Sequence, residues 1–170
     1  RPLALLGLLL PLLAACDSGD DTPKAPKPTS ETAADPNQAY LDRYAEKDDV
    51  TVRESGLMYR VLEEGDGESP AQGALVKVHY KGEFIDGAEF DSSYSRGEPA
   101  VFPSDRLIPG WVEALSLMQE GDKWELVIPS DLAYGDRGNK SIPGGASLVF
   151  QVELLEVVGK PGAQKDGDPQ

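Results

Sequence analysis

Three short stretches hold the residues whose types and spacing could do chemistry: Val78-His79-Tyr80-Lys81-Gly82, Phe90-Asp91-Ser92-Ser93 and Ile108-Pro109-Gly110-Trp111. Aromatic rings recur in them beside one lone carboxylate, with no nucleophile, metal cluster or phosphate loop. A site of that kind binds an apolar group and acts by environment, not by making a bond. Other chemistries fall away for stated reasons. The one histidine, His79, alternates with Val78 and Tyr80 and is expected to face solvent, and no Gly-x-Ser-x-Gly elbow occurs, so a serine triad has neither base nor nucleophile turn. One histidine and one cysteine cannot make a zinc site. Gly65-Asp66-Gly67 lacks the third glycine and following helix of a dinucleotide site and reads as a turn. Asn139-Lys140-Ser141 matches a glycosylation sequon as a chance match. For the aromatic set the bland alternative is core packing, and spacing alone favours it.

The elements that must position these residues are mostly strands. Val76, Val78 and Tyr80 alternate with Lys77, His79 and Lys81, a half-buried strand with a defined inner face. Leu57, Tyr59 and Val61 alternate with Met58, Arg60 and Leu62; Trp124, Leu126 and Ile128 form another such series, and Leu148, Phe150, Val152 and Leu154 a last one. Asp86-Gly87 between Phe84-Ile85 and Ala88-Glu89 predicts a tight hairpin. Trp111, Ala114, Leu115 and Met118 fall on one helical face after Pro109-Gly110 and before Gly121. Asp35-Pro36 reads as a cap and first turn, with Tyr40, Leu41, Tyr44 and Ala45 on one stripe of a short helix ending near Lys47. Strands before and after one short internal helix predict an α+β domain, an antiparallel sheet with that helix on one face.

The front of the chain carries a different signal. Residues 3–13 are an apolar run ending in Leu13-Ala14-Ala15-Cys16, shorter than the roughly 18 residues of a membrane span. Residues 1–15 therefore read as a secretion signal whose start is cut short. Residues 16–35 are rich in Pro, Thr, Ser, Ala and Asp and read as a disordered tether. At about 3.1 Å per residue such a tether reaches up to roughly 60 Å. Residues 36–53 are assigned to the short helix and a connector, 54–158 to the domain, and 159–170 to a disordered tail. Of 170 residues, 30 are acidic and 16 basic, a net charge of −14. That balance excludes nucleic acid as a partner, because phosphate neutralisation drives such binding.

Across residues 54–157 the motifs resemble the FKBP family of peptidyl-prolyl isomerases. The match is carried by Phe90-Asp91-Ser92-Ser93, Ile108-Pro109-Gly110-Trp111, Leu132-Ala133-Tyr134-Gly135 and Leu148-Val149-Phe150. The resemblance implies a curved antiparallel half-barrel wrapped around the short helix, with no cofactor and no metal. It implies Tyr80, Asp91, Trp111 and Tyr134 as catalytic residues, and Phe90, Arg96, Phe102, Leu107, Ile108, Ile142 and Phe150 as substrate-binding ones. Trp111 would be the floor and Tyr80, Phe90, Phe102 and Phe150 the walls. The Tyr134 hydroxyl and the Ile142 N–H would hold substrate carbonyls. For Asp91, tied to Tyr80 and Arg96, two readings stay open: an electrostatic role at the twisting amide, or an ion pair that holds the loop.

The expected activity is cis–trans isomerisation of X-Pro bonds in exported proteins, with proline-containing polypeptides and macrolide inhibitors as ligands. The alternative is a non-catalytic chaperone using the same pocket as a holder. Leu13-Ala14-Ala15-Cys16 resembles the bacterial lipobox, which implies lipidation of Cys16, anchoring to a bilayer and a periplasm-facing place in the envelope; the alternative is an ordinary signal with an incidental cysteine. Ala100 departs from the family's frequent aromatic, and Pro99-Ala100-Val101-Phe102-Pro103 is similar to the macrophage-infectivity-potentiator branch. Altered ligand preference is expected from it. The loop at residues 136–141 should overhang the pocket. The dimerising helical region of that branch is all but absent, which implies a monomer.

Overall fold

The computed structural model describes residues 35–159. The signal, Cys16, the tether up to residue 34 and the tail beyond Gly159 lie outside the described residues.

Chain alternation builds the strands, and their pairing makes one open antiparallel sheet. The strands are β1 (Thr51–Val52), β2 (Met58–Glu63), β3 (Leu75–Phe84), β4 (Glu89–Ser92), β5 (Ala100–Pro103), β6 (Lys123–Ile128) and β7 (Leu148–Gly159), in the order β1-β2-β6-β7-β3-β4 with β5 also on β3. The long central pair β3–β7 runs from Phe84 against Leu148 to Leu75 against Gly159, with register shifts between Lys77 and Val78 and between Leu75 and Val76. The predicted hairpin forms at Asp86-Gly87, where Gly87 takes φ 86°. Asp86 Oδ1 accepts from Ala88 N–H at 3.0 Å there. A positive φ at that turn is why glycine stands there.

The expected internal helix is α3 (Pro109–Leu117), and a helix of four residues, α2 (Ser93–Arg96), precedes it. Trp111, Ala114 and Leu115 are buried on α3, with Met118 just past its end. They close on Val76, Val78, Leu126, Ile128, Leu148 and Val152 of the sheet in one core. Gly110 lets the helix sit that close, because a Cβ on it would lie 2.6 Å from Ile128 Cγ2.

The other face of the sheet is covered too. α1 (Pro36–Ala45) starts at Asp35, whose carboxylate accepts from Asn37 N–H at 3.0 Å. Its Leu41 and Tyr44 bury against Met58 and Val127. Tyr44 Oη donates to Glu125 Oε1 at 2.7 Å, and Arg60 Nη2 reaches the same oxygen at 2.9 Å. This second cluster explains why Met58 and Val127, on the non-core side of their strands, are apolar.

Four pieces depart from the sequence reading. β1 lies in the stretch read as a connector, with Thr51 opposite Tyr59. β5 and α2 have no counterpart in the reading at all. β7 also runs one residue into the stretch assigned to the tail, since Gly159 pairs with Leu75.

Candidate functional site

The site is built outward from β3. Val76, Val78 and Tyr80 point into the core. The edge of β3 away from β7 is shared by two strands, β5 pairing from Leu75 to Val78 and β4 from Lys81 to Glu83. Gly82 follows Tyr80 on the inner face, and a Cβ there would lie 2.6 Å from Phe90 Cζ and 2.7 Å from Phe150 Cε1. The bare glycine therefore makes room for two rings.

α3 brings Trp111 up beneath those rings. Its indole stands edge-on to Tyr80 at 5.4 Å, to Phe150 at 5.3 Å and to Phe102 at 6.2 Å, and Phe90 meets Phe150 edge-on at 5.6 Å. Perpendicular rings at these separations place positive edges on negative faces, which fixes each plane as well as filling space. Above them is a cavity of about 260 Å³ lined by Tyr80, Phe90, Asp91, Phe102, Leu107, Ile108, Trp111, Tyr134 and Phe150. A larger hollow of about 560 Å³ beside α3 shares only Leu107 with it. That hollow has no ring of Phe, Tyr or Trp, and its one carboxylate, Glu113, is taken by Arg53 and Ser55.

One polar cluster meets the cavity. Tyr80 Oη donates to Asp91 Oδ2 at 2.6 Å, Arg96 Nη1 pairs with Asp91 Oδ1, and Arg96 Nη2 donates to Tyr80 Oη at 2.9 Å. The guanidinium also lies 5.4 Å from the Tyr80 ring centre. Burial alone would raise the Asp91 carboxyl, but the hydrogen bonds from Tyr80 and Arg96 and the charge of Arg96 outweigh it and hold its pKa below the ordinary value. Burial, reinforced by the bond to Asp91, raises the Tyr80 phenol. The cluster thus keeps one carboxylate, one guanidinium and one neutral phenol through the neutral range. The Asp91 side chain is 44% exposed, so its charge faces solvent and the cavity mouth.

Nine of the eleven pocket residues expected from the sequence line one cavity. Arg96 stands behind the wall as the partner of Asp91 and Tyr80. Ile142 is 3% exposed in the core, off the cavity wall, and its N–H donates to Asn139 Oδ1 at 2.8 Å. The amide expected to hold a substrate carbonyl is therefore engaged inside its own loop. Ile108 N–H, on a residue that does line the cavity, has no partner among the described residues, while Ile108 C=O accepts from Trp111 and Val112. Nothing in side-chain chemistry marks a backbone donor, so residue types could not reveal it. Tyr134 stands 37% exposed at the rim. Ala100 lies in β5 against the core and not on the cavity wall.

His79 differs from its expected solvent-facing place. It is half-buried, stacked 4.6 Å from the Tyr94 ring, with Nδ1 2.9 Å from Ser93 Oγ. Alternation gave the right side of the strand, but α2 covers that side. Among the described residues no group of His, Cys, Asp and Glu is placed to hold a metal, and no helix is long and apolar enough to cross a membrane.

An open antiparallel sheet closes over one helix, with an aromatic cavity where the two meet. The family model for FKBP-type peptidyl-prolyl cis-trans isomerase matches residues 66–155, so the chain belongs to the FKBP family. It is 56% identical over 120 residues to the FKBP-type 22 kDa peptidyl-prolyl cis-trans isomerase of Escherichia coli strain K12, covering 70% of this chain and 58% of that protein. It is 42% identical over 125 residues to the peptidyl-prolyl cis-trans isomerase Mip of Coxiella burnetii, covering 73% of this chain and 54% of that one. Among solved structures, FkpA from Escherichia coli superposes with a TM-score of 0.70 at 48% identity, covering 74% of this chain and 58% of that chain. The chain thus spans little more than half the length of these relatives.

Proposed function

We propose that the protein is a peptidyl-prolyl cis–trans isomerase that accelerates X-Pro isomerisation in exported polypeptides. The observation that carries this reading is the cavity of about 260 Å³ walled by Tyr80, Phe90, Phe102, Trp111 and Phe150, large enough to admit a prolyl ring between aromatic walls. Rotation about the bond faces a barrier of about 18–20 kcal/mol from lost amide resonance. The twisted amide has less charge separation than the planar one. A dehydrated apolar pocket therefore disfavours the planar ground state relative to the twisted transition state, and no covalent step is required.

In this mechanism the prolyl ring rests on Trp111 between Tyr80, Phe90, Phe102 and Phe150. Ile108 N–H and Tyr134 Oη are the donors at the cavity available to substrate carbonyls. Asp91, held by Tyr80 and Arg96, places a negative charge beside the rotating amide, whose nitrogen becomes more basic as it twists. Both readings of Asp91 are then one arrangement, the ion pair setting the position from which the charge acts.

The test is cis-to-trans relaxation of a short X-Pro peptide by the purified protein, with and without a macrolide that mimics the prolyl ring. Inhibitable turnover supports the reading; macrolide binding with no turnover replaces it with the holding chaperone. Asp91→Ala should lower kcat/KM about tenfold, a loss of about 1.4 kcal/mol of electrostatic stabilisation at the transition state. Full activity in that folded variant removes Asp91 from the mechanism.

We further propose that Cys16 is the lipidated anchor of an envelope protein, on the support of Leu13-Ala14-Ala15-Cys16 after an apolar run. In cells making the full-length product, Cys16→Ser should move the protein from the membrane to the soluble fraction. An unchanged distribution rejects the anchor.

A further inference from the structure

The gap in the β3 edge is filled by one hydroxyl. β5 pairs with β3 no further than Val78 and β4 pairs with it only from Lys81 on, so neither strand reaches the backbone of Tyr80. Two unpaired backbone groups in a buried place would each forfeit a hydrogen bond. Ser93, fully buried at the start of α2, supplies both. Tyr80 N–H donates to Ser93 Oγ at 2.8 Å, and Ser93 Oγ donates to Tyr80 C=O at 3.2 Å. His79 Nδ1 lies 2.9 Å from the same oxygen. A hydroxyl has one proton and two lone pairs. With the proton on Tyr80 C=O and one lone pair on Tyr80 N–H, the second lone pair is left for an N–H on His79 Nδ1.

The backbone so held is that of the residue whose Oη bridges Asp91 and Arg96. The two ends of the link lie close in sequence, because α2 begins at Ser93 and ends at Arg96. Its geometry is fixed by Ser92 Oγ, which accepts from Ser95 N–H at 3.3 Å, and by Gly97 at φ 78°. Ser93 thus clamps the backbone of Tyr80 while Arg96, one helical turn on, clamps its side chain.

We propose that Ser93 is a positioning residue of the isomerase, setting through Tyr80 the place of the Asp91 charge at the cavity mouth. It touches no substrate. Its hydroxyl does for one rung of β3 what a neighbouring strand would otherwise do, and it makes the aim of Tyr80 Oη independent of where β4 and β5 stop. The assignment rests on the isomerase reading for its kinetic consequence and on hydrogen bonding alone for its structural one.

The experiment therefore has two arms. Ser93→Ala should lower kcat/KM for the X-Pro peptide about tenfold. In a Tyr80→Phe background, with no Oη left to aim, it should cost less than about twofold more. In the structural arm, the Tyr80 amide of the folded variant should lose its protection from hydrogen exchange, and the Asp91 carboxyl, followed by NMR, should titrate closer to an ordinary carboxylate. Unchanged turnover in Ser93→Ala, or an equal loss in both backgrounds, overturns the proposal, since a purely structural hydroxyl would act the same with or without Oη. A wild type without turnover counts against the isomerase reading alone. The exchange and titration arm then decides, and a protected Tyr80 amide with an unmoved Asp91 overturns the positioning role.

Discussion

Trp111→Leu is expected to leave the domain folded and to weaken a prolyl-mimicking macrolide at least about 100-fold, the loss of about 2.7 kcal/mol at a central aromatic anchor. Trp111 is 4% exposed, yet it lines the cavity, so it serves the core and the site together. Truncation to alanine confuses those roles, because emptying a buried indole costs about 3–5 kcal/mol against a typical stability of about 5–15 kcal/mol. Leucine keeps an apolar side chain in the core cluster that holds Ala114, Leu115 and Ile128 while lowering the floor. The rings of Tyr80, Phe102 and Phe150 lose the indole against which they pack at right angles. Water then enters beneath the bound ring, and the penalty on the planar amide falls with it. Turnover should decline in parallel with affinity. Calorimetric titration measures the affinity and a denaturant midpoint the fold; unchanged affinity in a folded variant removes the indole from the pocket floor.

What could be read in advance followed the strength of each local signal. β3 and β7 run 10 and 12 residues, long enough for alternation to show their inner faces. α3 was legible from four apolar positions on one face, and the β3–β4 turn from Asp86-Gly87. β1 has two residues, and β5 has four, ending in Pro103. Pieces that short carry no period, and they exist only because the edges of β2 and β3 are there to receive them. α2 has four residues and is a consequence of the chain turning between β4 and β5.

The site divides along the same line. Its rings were named from motif contexts because each is a distinctive side chain in a distinctive neighbourhood. Two features were not visible. Ser93 reads as an ordinary serine until the gap in β3 gives its hydroxyl two backbone partners. Ile142 N–H was a reasonable candidate for a substrate carbonyl until Asn139, three residues earlier, was seen to occupy it. Both depend on where backbone groups point, which composition does not carry. His79 shows the same limit from the other side: its strand face was right, and its exposure was set by Tyr94, a residue on a helix the sequence did not announce.

Gly82→Ala is expected to close the cavity without unfolding the protein. Gly82 lies near the C-terminal end of β3, opposite Asp91 on one side and Phe150 on the other. Its φ is not among the positive ones, so alanine meets no backbone objection and the test is one of space alone. The added Cβ would lie 2.6 Å from Phe90 Cζ, 2.8 Å from Phe90 Cε2 and 2.7 Å from Phe150 Cε1. Both rings must yield, and neighbours limit where they can go. Phe150 is backed by Trp111 at 5.3 Å and Phe90 by Phe84 at 5.0 Å. The open space beside them is the cavity itself. Overpacking of this kind costs about 1–3 kcal/mol, and relief of glycine's excess backbone entropy returns about 0.5–1 kcal/mol. The net loss of stability is then modest, while two walls move inward across a cavity of about 260 Å³. Macrolide affinity should fall at least about tenfold, or about 1.4 kcal/mol. A second change, Phe90→Leu, should recover part of the stability, because it removes the ring with the closest contact. Affinity unchanged in folded Gly82→Ala would mean the rings relax away from the ligand, and the width of the pocket would then be set by α3 and not by β3.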